Sequence, residues 1–494
     1  MNAPTRDFKA DRALAAIEPT PLWRHFAELC ARPRPSHHEE AVAQYCMAQA
    51  QAAGLVVVRD DVGNVIIRKP ATVGMEGCKG IVMQSHLDMV PQKNNDTDHD
   101  FINDPIRAYQ DGDWVRATGT TLGADNGIGV AAIMAVMTAT DIAHGPLEAL
   151  LTINEEAGMD GAKGLQPGWL EGELLLNLDT EEDGELYIGC AGGVDVNISL
   201  PYVAETWPAD HDAVIISVKG LRGGHSGIDI HRGHGNAIKL ATRAAQLACE
   251  QFGARLCQIN GGSLRNAIPR EGSVVMAVPT ANIESLHSAI ATLENTCRNE
   301  LDGTEAKLTL TCESADRGPS CLPETIAAGL LRALAACPNG ALRMSSTVDD
   351  VVETSTNLGV ITTKPDQIRI QCLSRSLIDS ARDNTAAAVA ACFELAGATA
   401  RIENSYPGWQ PQAQSDLVDQ MRKLHLDHFG TTPNLKVIHA GLECGILGAA
   451  YPHWDMVSFG PTITGAHSPD ERVHLPSVAK FWDYLLLALK QVAC

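Results

Sequence analysis

No run of about 18 apolar residues occurs in this chain of 494, so no helix of it is expected to span a membrane. The opening stretch, Met1-Asn-Ala-Pro-Thr-Arg-Asp-Phe8, lacks the apolar core of a secretory signal. Basic residues are few: 38 Lys and Arg stand against 60 Asp and Glu, a net charge of −22. Nucleic acids and anionic membranes are bound through a basic face, so neither is expected as a partner. The acidity reads as solubility. None of the fourteen cysteines forms a Cys-x-x-Cys pair. Many, such as Cys46, Cys249 and Cys392, sit in apolar helical stretches, which suggests buried free thiols in a reducing cytoplasm.

What is present is a folded chain of more than one domain. Apolar residues make up 45% of the sequence, enough to exclude wholesale disorder, and the length exceeds one typical core. Ser36-His-His-Glu39 reads as a capping box opening a helix to Gly54, and a hairpin follows with Val62-Gly-Asn64 near its turn. From residue 80 to about 190 strands alternate with helices, the pattern of an α/β domain with a mostly parallel sheet. After about residue 193 the pattern becomes β-α-β-β-α-β, then a looser second round to about 404. Tyr406-Pro-Gly-Trp409 looks like a return linker. The expected division is a catalytic domain over 1–192 and 407–494, split by an inserted α+β domain over 193–406.

Four apolar runs each lead into His, Asp or Glu. Ile81-Val-Met83 leads to His86 and Asp88, and Leu147–Ile153 to Glu155 and Glu156. Leu174–Leu178 leads to Asp179, and Met456–Phe459 leads through a Gly-Pro turn to His467. In open α/β sheets ligands bind beyond the carboxyl ends of the strands, and two His with several carboxylates there suit a zinc-type ion. Two ions need a bridging carboxylate. Asp125 is the natural bridge, because it lies in the glycine-rich turn Gly123–Gly129 at a helix start. That turn only weakly resembles a phosphate loop, since it lacks the glycine order and a lysine. His86 and Asp179 would complete one ion, Glu156 and His467 the other. Asp88 would orient His86. Glu155, with no metal to hold, would take the proton of a metal-acidified water that attacks a carbonyl. Singly, each residue has an ordinary structural reading; the set is what points to chemistry. A glycine-rich turn, Gly223-Gly-His-Ser-Gly227, places His225 where it could stabilise an oxyanion.

Ser85-His-Leu-Asp88, Gly123-Ala-Asp-Asn126, Asn154-Glu-Glu-Ala157, Asn177-Leu-Asp179 and Gly465-Ala-His467 resemble the motifs of the M20 metallopeptidases, closest to the aminoacyl-histidine dipeptidase branch. The resemblance runs over essentially the whole chain. It implies a zinc-peptidase α/β catalytic domain with an inserted lid, two Zn²⁺ per chain and hydrolysis of unblocked L-dipeptides, Xaa-His among them. It implies His86, Asp125, Glu156, Asp179 and His467 as metal ligands, Glu155 as base, Asp88 as orienting carboxylate and His225 as a lid histidine. It further implies Asn266, in Arg265-Asn-Ala-Ile-Pro269, as an oxyanion partner, and Arg375, in Ser374-Arg-Ser376, as a clamp on the substrate carboxylate. Mn²⁺ or Co²⁺ also fits the ligand set. A homodimer is a further expectation. The rival activities are a tripeptide aminopeptidase and an N-acyl amino-acid hydrolase. A non-catalytic zinc-binding protein is the reading from another class, and Glu155 argues against it. Gly441-Leu-Glu-Cys-Gly445 is expected near the site, with Glu443 either lining it or structural.

Overall fold

The computed structural model describes residues 8–494 except 95, 347, 349 and 413. These form two compact units: 8–189, 411–437 and 443–494 in the first, 190–410 and 438–442 in the second.

The first unit is built on an eight-stranded sheet. Its order is Val56–Arg59, Val65–Lys69, Leu147–Thr152, Ile81–His86, Leu174–Asn177, Asp455–Ser458, Glu185–Cys190 and Asn434–Ile438. The central four strands run parallel, and the first two and Glu185–Cys190 pair antiparallel. Parallel strands are covered on both faces and read as continuous apolar runs. Accordingly every residue of Ile81–His86, Leu147–Thr152 and Leu174–Asn177 is buried. Helix Ala124–Thr138 is apolar all round and, after Asp125, buried through Met137, as a helix sunk in a core must be. It shares one core with helices Thr20–Ala31, Glu40–Ala52 and Leu475–Gln491. The four apolar runs singled out in the sequence are these four central strands, adjacent and parallel.

The second unit carries an antiparallel sheet with the path Thr309–Ser314, His211–Lys219, Gly272–Pro279, Arg255–Gly261, Val352–Thr363, Gln367–Ser376, Gly192–Pro201 and Thr399–Tyr406. Helices Ala237–Phe252, Glu324–Ala336 and Asp379–Glu394 share its core. The β-α-β-β-α-β round is present. Gly192–Pro201 is a ten-residue strand with no counterpart in the sequence reading, although its Val, Ile and Leu alternate with polar residues.

Two expectations are corrected. Ser36 does not cap a helix: Glu40–Ala52 starts with no side-chain cap, and the Ser36 hydroxyl donates instead to Asp88 Oδ2 at 2.8 Å. Nor are all cysteines free. Cys78 pairs with Cys494 and Cys257 with Cys321. The backbone brings each pair together, through Lys79 N–H on Ala493 O and Leu322 N–H on Leu256 O, both 2.9 Å. The other ten cysteines form no disulfide, and seven of them are buried, Cys30 and Cys46 among them.

Candidate active site

His86 is the last residue of its strand, and Glu155 opens the short helix Glu155–Gly158 beyond the next one. Asp179 follows Leu174–Asn177 by two residues. His467 lies in the loop between strands Ile463–Thr464 and Arg472–His474, which pair antiparallel. Asp125 sits at the start of its helix with non-helical backbone, after Gly123 at φ 70°. Gly129 is required one turn further on. A Cβ there would collide with Asn126 Oδ1, Ser85 Oγ and the Leu178 carbonyl, so only glycine lets this helix lie so close to the strand ends.

The five expected ligands meet in one cluster organised by Asp125. His86 Nε2 lies 3.1 Å from Asp125 Oδ1 and 3.4 Å from Asp179 Oδ1. His467 Nε2 lies 3.1 Å from Asp125 Oδ2 and 3.1 Å from Glu156 Oε2. Each oxygen of Asp125 therefore serves one imidazole, and each imidazole has a second carboxylate. Ligand atoms of His86, Asp125 and Glu156 fall within 4.8 Å of one another. Glu156 Oε1 is buried with no hydrogen-bond partner. Imidazole nitrogens and carboxylate oxygens in two groups joined by one carboxylate are a donor set that fits a pair of divalent ions.

Asp88 is fully buried. Its Oδ1 is 3.4 Å from His86 Nδ1 and accepts the Glu155 N–H at 3.0 Å, and its Oδ2 accepts the Glu156 N–H at 3.1 Å. One carboxylate thus faces an imidazole and receives the start of the helix that carries both glutamates. Burial alone would raise its pKa, but the bonds from His86, Ser36 and Glu155 bring it down to about 2.

The remaining charges are strongly perturbed. Burial, with Glu156, Asp179 and Glu443 nearby, holds Glu155 well above the usual carboxylate range. Burial and Asp125 push Glu156 up to about 7. Hydrogen bonds to Asp125 and Glu156 push His467 up to about 11. Burial would raise Asp125, but the His467 and His86 imidazoles outweigh it and hold its carboxyl low.

Sequence reasoning missed the shell behind these groups. Glu471 Oε1 accepts from the N–H of Ala124 at 2.7 Å, and its Oε2 from Leu122 at 2.8 Å and Gly123 at 3.0 Å. It holds the turn that presents Asp125. Buried Arg34 donates to the carbonyls of Leu87 and Asp88 at 3.0 and 2.9 Å, and to that of Gly123. Glu181, raised to about 9 by burial and by the charges of Asp125 and Asp179, adds another carboxylate. Position four after His467 is the single sequence hint for Glu471; Arg34 and Glu181 had none.

His225, Asn266 and Arg375 lie in the second unit. His225 forms a bridge with Ala267, and the Ser226 N–H donates to Asn266 O at 2.8 Å, so the His225 and Asn266 segments run side by side. His225 Nδ1 accepts from the N–H of Gly227 and of Ile228, each at 3.2 Å. A neutral imidazole with Nδ1 as acceptor carries its proton on Nε2. Arg375 is 5% exposed and donates to the Tyr406 hydroxyl at 2.8 Å. Buried His439 accepts from or donates to Ser355 Oγ at 2.7 Å, and burial together with Arg375, His231 and His225 pushes it down to about 3.

An imidazole–carboxylate cluster at the strand ends of an α/β sheet, in a chain interrupted by an antiparallel unit, marks a metal-dependent hydrolase. The chain belongs to the peptidase family M20/M25/M40, whose model matches residues 82–491. It is 49% identical over 479 residues, 97% of this chain and 99% of the relative, to the cytosol non-specific dipeptidase of Escherichia coli (strain K12). The crystal structure of aminoacylhistidine dipeptidase from Vibrio alginolyticus superimposes with a TM-score of 0.87 at 48% identity, covering 97% of each chain. Aminopeptidase PepT from Bacillus cereus ATCC 10987, at 18% identity and a TM-score of 0.55 over 97% of this chain and 100% of that one, shares the fold.

Proposed function

We propose that this chain is a cytosolic dipeptidase that hydrolyses unblocked L-dipeptides, Xaa-His among them, with two zinc ions per chain. The observation that carries the reading is the division of Asp125, one oxygen to His86 and the other to His467, each with its own second carboxylate. His86, Asp125 and Asp179 would hold one ion, and His467, Asp125 and Glu156 the other. The substrate class is supported by the identity to the dipeptidases over almost the whole chain.

Bound ions would acidify water and polarise the substrate carbonyl. Glu155 is the carboxylate left over, and a buried carboxylate with raised proton affinity suits a general base near neutral pH. It takes a proton from the attacking water and passes it to the leaving amine. Asp88 keeps the His86 ring oriented and fixes the Glu155–Glu156 backbone. His225 offers Nε2–H to the developing oxyanion, with Asn266 beside it, and Arg375 pairs with the substrate carboxylate. In this reading the first unit is the catalytic domain and the second the lid. A homodimer is part of the reading, and light scattering tests it: a one-chain mass removes it.

The test of the activity is amine release from a panel of L-dipeptides, capped dipeptides and tripeptides by metal-stripped protein with zinc, manganese or cobalt restored. Metal-dependent cleavage restricted to free dipeptides is expected. Turnover of tripeptides or acylated amino acids instead would move the substrate assignment, and metal binding with silence across the panel would leave a binding protein.

A further inference from the structure

Three central strands carry a buried polar side chain just before the residue each presents to the site. Gln84 precedes His86 by two positions, Thr152 precedes Glu155 by three, and Asn177 precedes Asp179 by two. All three are 0% exposed. One further carboxylate links them. Glu443 opens helix Glu443–Ala450 and is itself 0% exposed. Its Oε2 accepts from Gln84 Nε2 at 2.5 Å and from the Thr152 hydroxyl at 2.6 Å. Gln84 Oε1 in turn accepts from Asn177 Nδ2 at 2.5 Å. Gln84 and Asn177 are register partners across their parallel pair. A single hydrogen-bonded chain therefore ties together the ends of three adjacent strands.

A carboxylate in a dry interior is a costly way to fill space; packed apolar groups of the same volume do as well or better for stability. Glu443 is also incompletely satisfied, since its Oε1 accepts no hydrogen bond. Its partners lie at the carboxyl ends of the strands, next to the working groups. Side chains that fix the orientation of a metal site are worth more in function than in stability, and a displacement of about 1 Å at reacting groups can lower a rate about 100-fold.

We propose that Glu443 is a positioning residue, whose bonds to Gln84 and Thr152, relayed to Asn177, set where His86, Glu155 and Asp179 project. It touches neither substrate nor metal. This rests on the proposed reading of those three residues.

The test uses Glu443→Gln, which keeps the volume but turns an amide N–H₂ or a weaker acceptor toward the Gln84 and Thr152 donors. Thr152→Val, which removes a single donor, is the second variant. The measurements are kcat and KM on a free dipeptide, zinc affinity by chelator competition, the absorption spectrum of cobalt-loaded protein and the melting temperature of the metal-free form. For Glu443→Gln, kcat and zinc affinity are each expected to fall about 10–100-fold, with KM moved far less and the cobalt spectrum altered. Thr152→Val should show a smaller loss in the same direction. A lowered melting temperature with wild-type kcat, zinc affinity and cobalt spectrum would overturn the proposal and leave Glu443 a structural group. Should Glu443→Gln fail to fold, wild-type kcat and zinc affinity in Thr152→Val would overturn it equally. Full turnover by Glu155→Ala would instead sink the reading of the site, whereas an inactive Glu155→Ala beside an unaffected Glu443→Gln would sink the positioning role alone.

Discussion

Asp88→Asn is the substitution whose effect can be worked furthest from the structure. The carboxylate accepts two backbone N–H bonds and the Ser36 hydroxyl, and faces His86 Nδ1. An amide of the same shape keeps one oxygen. Whichever way it turns, its N–H₂ meets donors on the other side, either Glu155 N–H and His86 or Glu156 N–H and Ser36. The native carboxyl has its pKa drawn down to about 2 from 3.8. At 1.36 kcal/mol per unit, that difference is about 2 kcal/mol of stability in the ionised form. The sign follows from linkage: a depressed carboxylate pKa contributes fully above 3.8 and is lost as pH falls through 2. Metal-free Asp88→Asn should therefore be less stable than wild type by about 2 kcal/mol, and the gap should stay flat between about pH 5 and 6, where Asp88 is ionised in both folded and unfolded chains and its partner His86 is still protonated in both. Urea denaturation across that range reads it. In turnover the loss should be about 10–100-fold, because ring orientation and the helix carrying both glutamates are disturbed together. A variant matching wild type in stability and in kcat would refute the orienting role of Asp88. A gap that grows or vanishes within that pH range would refute its assignment to this carboxylate.

Further predictions concern the base, the oxyanion and the helix that presents the bridge. Glu155→Ala should bind zinc as wild type does, by metal analysis, while turnover falls by about 100-fold to 10,000-fold; ordinary turnover would remove Glu155 as base. His225→Ala should lower kcat more than it raises KM, by about 100-fold or more, because an oxyanion contact acts in the transition state. A change confined to KM would make His225 a substrate-binding residue. Gly129→Ala should destabilise the first unit by about 1–3 kcal/mol, the range for overpacking, and weaken zinc binding, since the added methyl meets Asn126, Ser85 and the Leu178 carbonyl. Unchanged melting and zinc affinity would show that the helix can retreat without cost.

The expected site was legible because its residues obey a local rule. His86, Glu155, Asp179 and, through a turn, His467 come at the ends of apolar runs, and buried parallel strands are what such runs become. Asp125 was legible through its glycines. The supporting residues obey no such rule. Glu471 reaches back nearly 350 positions to the Asp125 turn, and Glu443 reaches Gln84 from 359 away; the sequence placed Gly441–Gly445 near the site, but such distant bonds leave no mark in local spacing. Ser36 looked like a helix cap because Glu39 lies three positions on, but its hydroxyl found a stronger, charged acceptor in Asp88. Gly192–Pro201 opens on two glycines, which are poor strand formers, yet Gly193 gives room to the Tyr406 ring. The paired cysteines were hidden by separations of 416 and 64 residues.

The central claim is a site that holds two ions through Asp125 and spares Glu155 for proton transfer. Its most direct test is a zinc titration of metal-free wild-type and Glu155→Ala protein, with release of histidine from an Xaa-His dipeptide followed at each addition. The account predicts that both proteins take up two equivalents and that only wild type turns over, reaching full rate at the second. Saturation at one equivalent, or turnover by Glu155→Ala at any loading, would contradict it.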